Sequence, residues 1–149
     1  MKKFLIILLL FVSNCGYQPL YVDVNNEELV FQKINLQGDK KINRKIISTL
    51  NISKSSANFN FEELFLDSKK NKQVTSRNSK GEVASYKMTI TSNLVIESKD
   101  GKKRDKSFSV DYSYNNRENK FDLAEYETQI ENNLIKEIIE NMIIYINLK

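Results

Sequence analysis

Residues 83–97 alternate between two chemical characters, and that pattern constrains the fold more than any other stretch. Ala84, Tyr86, Met88, Ile90, Leu94 and Ile96 share one parity, and Ser85, Lys87, Thr89, Thr91, Asn93 and Glu97 share the other. Successive side chains of a strand point to opposite faces, so the run predicts one strand of a sheet with a buried face and a polar face. At ~3.3 Å per residue it spans roughly 45–50 Å.

The neighbouring segments extend the sheet. Asp100-Gly101, within Ser98–Lys106, is a hairpin turn signal. Phe108, Val110, Tyr112 and Tyr114 then alternate with Ser107, Ser109, Asp111 and Ser113, predicting the next strand. Upstream, Leu29–Gln37 is β-like and stops at Gly38. Phe59–Leu66 is a further strand whose alternation slips at Glu62-Glu63, the mark of a bulge or register change. Asp67–Gly81 is a polar stretch between strands.

Two segments follow a helical period. Asp39 is a suitable N-cap, because its carboxylate can accept an otherwise unpaired N–H of the first turn. Ile42, Ile46, Ile47 and Leu50 then fall on one face. Near the C-terminus, Asp122 with Glu125 three residues on reads as a helix start, and Phe121 and Tyr126 occupy hydrophobic-staple positions. Ile130, Leu134, Ile138 and Met142 form a stripe widened by Ile135, Ile139 and Ile143. The order β-α-β-β-β-α predicts an α+β domain over 29–149, with two helices packed on one face of a mixed four-stranded sheet.

The first fifteen residues, MKKFLIILLLFVSNC, have another purpose. Lys2 and Lys3 precede an unbroken apolar run from Phe4 to Val12, followed by Ser13 and Asn14: the layout of a secretory signal peptide over 1–14. A membrane-spanning helix needs roughly 20 apolar residues, so this run is too short to remain as one. Val12-Ser13-Asn14-Cys15 resembles the lipobox of bacterial lipoproteins, with Asn14 where that motif usually has Gly, Ala or Ser. The resemblance implies a diacylglyceryl group on Cys15 and, after cleavage, an N-acyl chain on its amine. One acyl chain holds a protein marginally and two or more hold it stably. Lipidation would also consume the chain's lone thiol, which has no disulfide partner. Residues 15–28 then form a lipidated N-terminal segment, with Gly16 where an Asp often signals inner-membrane retention.

Composition excludes several function classes. The formal charge of +4 falls to +2 once Lys2 and Lys3 are removed, far from the basicity of a nucleic-acid binder. There is no His and no second Cys, so Ser–His and Cys–His nucleophilic sites and the common zinc sites are absent. Four scattered glycines make no phosphate loop. Carboxylate-pair catalysis remains formally open, yet every Asp and Glu lies in a polar stretch that reads as solvated surface. Neither an enzyme nor a metal or cofactor site is expected.

Charge is unevenly spread. Residues 69–106 carry eleven Lys and Arg against four acids, and residues 107–149 carry four against eight. The basic residues collect in the turns at opposite ends of the long strand, so they cannot form one patch. Either turn could meet an anionic partner such as a phosphorylated lipid or an acidic protein. Lysine-rich turns also serve simply to keep β-proteins soluble and their edges unpaired.

With these elements placed, nearly the whole chain resembles the LPS-assembly lipoproteins of the LptE family. The residues that carry the resemblance are Cys15-Gly16-Tyr17-Gln18-Pro19-Leu20-Tyr21, similar to the start of α-proteobacterial members; Ser85-Tyr86-Lys87-Met88-Thr89; Ser113-Tyr114-Asn115; and Asp122-Leu123-Ala124-Glu125. The resemblance implies a two-helix, four-stranded domain that catalyses nothing. It implies lipid anchoring at the periplasmic face of the outer membrane, inside an LptD-like β-barrel that delivers lipopolysaccharide to the outer leaflet. Family members can carry basic residues before the long strand and near the start of the last helix. Here the first place holds Arg77, with Lys80 in the same turn, while the second reads as Glu125, with Lys120 just before it. Arg77, Lys80 and Lys120 are the candidate lipopolysaccharide contacts. A generic envelope lipoprotein module with a different partner is the alternative.

Overall fold

The backbone turns sharply where the first strand meets the first helix, and the residues there explain why. A computed structural model describes residues 28–147. Strand β1 (Leu29–Gly38) ends on Gly38 at φ +79°. A Cβ there would lie 2.1 Å from the Ser68 carbonyl oxygen, so only glycine fits. That carbonyl accepts the Asp39 N–H at 2.7 Å. The Asp39 carboxylate in turn accepts from Lys41 N and Ile42 N and starts helix α1 (Lys40–Thr49), as the sequence predicts. Asn51, at φ +50°, closes the helix and sends the chain back beside β1.

Strand β2 (Ile52–Lys54) follows, then β3 (Phe61–Arg77), β4 (Val83–Ser98), β5 (Lys103–Asn115) and helix α2 (Lys120–Asn147). The sheet has five strands in the order β2-β1-β3-β4-β5, not four. β1 runs parallel to β2 and β3, and β3-β4-β5 is antiparallel. The extra strand escapes sequence reading because its three residues hold one apolar side chain and show no alternation. The β-α-β-β-β-α order otherwise stands, with β2 inserted after α1.

A larger correction concerns Asp67–Gly81. The polar stretch is strand as far as Arg77, paired to β4 through Arg77↔Val83, with register shifts at Phe61/Glu63 and around Ser76. The first shift coincides with the slip at Glu62-Glu63. β5 likewise begins at Lys103, four residues before its alternation becomes apolar. In both cases the backbone ladder to β4 continues where burial has stopped. Hydropathy therefore under-reads their length.

Both helices lie against one face. Leu64, Leu66, Met88, Ile90, Leu94, Ile96, Phe108 and Tyr114 meet Ile42 and Ile46 of α1 and Ile130 through Met142 of α2 in one core. Fully burying each aliphatic side chain contributes about 1.5–3 kcal/mol. Ser68 and Ser92 are also fully buried there and satisfy each other through a 2.8 Å Oγ–Oγ hydrogen bond. α2 starts one turn earlier than its sequence suggests. Asn119 Oδ1 accepts from Phe121 N, and Asn119 O accepts from Leu123 N, so Asn119 rather than Asp122 caps it. Phe121 is 87% exposed and staples nothing.

Candidate functional site

The β3–β4 hairpin carries two of the three predicted contacts at its tip. Gly81 takes φ +81°, and Asn78 Oδ1 accepts from the backbone N–H groups of Lys80 and Glu82. Arg77 folds back, its guanidinium donating to the Gly81 carbonyl at 2.8 Å, while Lys80 is exposed. Lys120 opens α2 at the same end of the sheet, since Asn116 just ahead of it binds the Val83 and Ala84 carbonyls. The structure thus brings Arg77 and Lys80 into one turn and leaves Lys120 apart from them at that end. Cys15 lies outside the described residues.

Below the tip, the cations that read as loop residues are strand residues with partners. Lys70 and Lys72 point to the helix side. Lys72 binds Glu127 and lies over the Tyr86 ring at 4.0 Å. Lys70 and Lys41 approach Glu131 at 2.9 and 2.8 Å, joining β3 and α1 to α2. Glu131 is only 5% exposed, which corrects the expectation that every acid is solvated. Burial raises its pKa, but the two lysine hydrogen bonds outweigh that and hold it below the ordinary carboxylate range. Tyr114, buried in the core, donates to Glu127 at 2.9 Å; burial first and that carboxylate second push its phenol upward. Arg117 lies over Tyr126 at 4.0 Å. These partners are 9 to 90 residues apart in sequence, and no periodicity in the sequence reveals them.

These carboxylates are neutralised by structural lysines rather than converging on a cleft. Among the described residues no three His, Cys, Asp or Glu side chains are placed to hold a metal. No helix there is long and apolar enough to cross a membrane. A hollow of about 710 Å³, open to solvent, lies at the other end of the sheet between Phe61, Ser98, Lys99 and Arg104. The β4–β5 turn beside it pairs its own charges, Lys102 with Asp100 and Lys103 with Glu97.

The broadest feature is the sheet face away from the helices. Register aligns rows of short polar side chains across β3, β4 and β5: Asp67, Asn93 and Ser107; Lys69, Thr91 and Ser109; Asn71, Thr89 and Asp111; Gln73, Lys87 and Ser113. Thr91 and Ser109 bond at 3.1 Å within one row, and the Lys87–Asp111 ion pair at 3.1 Å joins two neighbouring rows. The outward parity of the sequence predicts this face. Its breadth depends on β3 continuing through residues that hydropathy assigns to a connection.

A family model described as LptE, lipopolysaccharide-assembly, matches residues 17–146. No curated protein sequence matches the chain. Among solved structures, the rare lipoprotein B of Shewanella oneidensis aligns with TM-score 0.50 at 15% identity, over 74% of this chain and 92% of that one. A putative lipoprotein of Caulobacter crescentus aligns with TM-score 0.51 at 8% identity, over 81% and 89%. An uncharacterized lipoprotein B of Nitrosomonas europaea gives TM-score 0.50 at 10% identity, over 76% and 80%. These identities speak to the fold alone, and the fold agrees.

Proposed function

Because the chain belongs to the LptE family of lipopolysaccharide-assembly lipoproteins, which are not enzymes, we propose that it is the plug subunit of the lipopolysaccharide translocon. It stands inside an LptD-like outer-membrane β-barrel, assists that barrel's assembly and helps pass lipopolysaccharide to the outer leaflet. The observation that carries this reading is the uncovered sheet face. Barrel interiors of this class are polar, and a soluble domain that fills one needs a broad polar surface rather than an apolar one. Rows of Ser, Thr, Asn, Gln and paired charges across three strands supply that surface.

The anchor completes the arrangement. Residues 1–14 are removed, Cys15 takes the diacylglyceryl and N-acyl groups, and residues 15–28 lead to the domain at 29–149. The lipid holds the domain at the periplasmic face of the outer membrane. The hairpin tip with Arg77 and Lys80, and Lys120 at the same end, meets the phosphates of lipopolysaccharide as cations meeting anions.

Affinity purification of the tagged chain from detergent-solubilised membranes tests the partner. An outer-membrane barrel of the lipopolysaccharide-assembly type should co-purify, and depletion of the chain should strand lipopolysaccharide in the periplasm. Recovery of the chain without such a barrel, or with a different envelope partner, would overturn the reading. Mass spectrometry of the N-terminal peptide tests the anchor separately; an unacylated Cys15 would remove it.

A further inference from the structure

The two edges of the sheet are built differently. β2 closes one edge with three residues. β5 closes the other with thirteen, free of Pro and Gly and in continuous register with β4 from Lys103 to Asn115. A long, unbulged edge strand is a template for another strand, and proteins ordinarily guard against that with charge, proline or a bulge.

The hydrogen-bond parity of β5 can be read directly. Asn116 N donates to Ala84 O, and Ser98 N donates to Lys102 O. Even-numbered β5 residues therefore exchange hydrogen bonds with β4, and odd-numbered residues point their N–H and C=O groups away from it. The Asp105 carbonyl agrees, since it accepts the Tyr145 hydroxyl at 3.2 Å from outside the ladder.

The guard covers only half of the edge. Lys103, Arg104, Asp105 and Lys106 crowd the first turn of the strand with charge, and Tyr145 caps its outward carbonyl. From Ser107 to Asn115 the sole charge is Asp111. The outward groups of Ser107, Ser109, Asp111, Ser113 and Asn115 have no partner among the described residues. Those same residues turn their side chains to the open polar face. On the helix side the edge is apolar: Tyr112 is 48% exposed, and Ile144 of α2, 60% exposed, borders a groove of about 370 Å³ beside Phe108.

We propose that the Ser107–Asn115 edge of β5 is a strand-addition site that receives an extended segment of the barrel partner. The inference rests on the plug reading above and deepens it. The polar face and the free edge are one continuous surface, so a partner that covers the face reaches the edge. The segment it accepts alternates polar side chains towards Ser109 and Ser113 with apolar ones towards Tyr112 and Ile144. Main-chain hydrogen bonds supply affinity and the alternate side chains supply specificity. The charged half, Lys103–Lys106, sets where pairing stops.

Hydrogen exchange resolved to single amides, on the full lipoprotein alone and in its purified barrel complex, tests this. In the free chain the amides of Ser107, Ser109, Asp111, Ser113 and Asn115 should exchange fast, and those of Phe108, Val110, Tyr112 and Tyr114 slowly. In the complex the odd set should slow by about 100-fold or more, which erases the alternation. Ser113→Pro removes an outward N–H and no bond to β4, so it should leave the free chain folded and weaken the complex about tenfold. A complex that forms with the odd amides still fast overturns the inference and spares the plug reading. Odd amides already slow in the dilute free chain place a segment of this chain on the edge. Slowing that depends on lipoprotein concentration places a second copy there. Either result also overturns the proposal, and absence of any barrel complex overturns both.

Discussion

β3 is one strand with two unlike halves. From Leu64 to Ser68 alternate side chains are buried beneath the helices, while from Lys69 to Arg77 every residue is exposed. The inner half is held by the core. The outer half is held by its ladder to β4 and by the ion pairs that Lys70 and Lys72 make with α2. Local stability follows such differences in buried contact. The inner half anchors the domain, and the outer half carries Arg77 and Lys80 beyond the core, where a large partner can reach them.

Leu66→Ala strikes the anchored half hardest. Leu66 is fully buried, so the lost transfer energy and the cavity should cost about 2–5 kcal/mol. Chemical denaturation of the purified domain would measure this. A cost under about 1 kcal/mol would mean that the inner half is not the core it is taken to be.

Gly38→Ala tests the seam between β1 and that half. The new Cβ meets the Ser68 carbonyl oxygen, part of the backbone, and the residue must hold φ +79°. The expected loss is about 1–3 kcal/mol. It should appear in thermal melts, together with faster exchange of the Asp39 amide.

The seam with the outer half is Glu131. Against the raising effect of burial, the Lys41 and Lys70 hydrogen bonds hold its folded pKa below the ordinary carboxylate range. The stabilisation it contributes is therefore complete above the unfolded pKa and disappears as pH falls through the folded one. Glu131→Gln keeps the shape and loses the charge, for a cost of about 1–2 kcal/mol at pH 7. The gap between wild type and variant should close as pH falls from the ordinary glutamate range through the depressed folded pKa. A gap independent of pH would assign the loss to packing.

The same division decides how much the sequence reveals. β4 is legible because its alternation has a buried face along almost its whole length, and α2 because its isoleucine stripe repeats over several turns. The candidate contacts Arg77 and Lys80 are legible as a basic turn. The outer half of β3 is not, because its residues pair through backbone groups that every sequence possesses. Glu131 is hidden as well: its lysines come from α1 and β3, and an acid with Asn132 and Asn133 beside it reads as surface. The three-residue β2 has too few side chains to show a period. The free edge of β5 depends on which parity faces β4, and only the register can fix that.

Arg77→Glu with Lys80→Glu should disturb the fold least and the proposed function most. Both residues are exposed, and the only bond lost is from Arg77 to the Gly81 carbonyl, so stability should change by less than about 0.5 kcal/mol. Binding of purified lipopolysaccharide should nevertheless weaken severalfold at low salt. The difference from wild type should shrink as salt rises and the Debye length falls from about 30 Å at 0.01 M to about 8 Å at 0.15 M. Lys69→Glu is the control, since its cation sits on the same hairpin close to Asp67 and away from the tip. If Lys69→Glu weakens binding as much as the tip pair does, the hairpin acts through its total charge and the tip has no special role. If neither variant changes affinity, the cations of the outer half serve solubility, and lipopolysaccharide contact must come from elsewhere in the assembly.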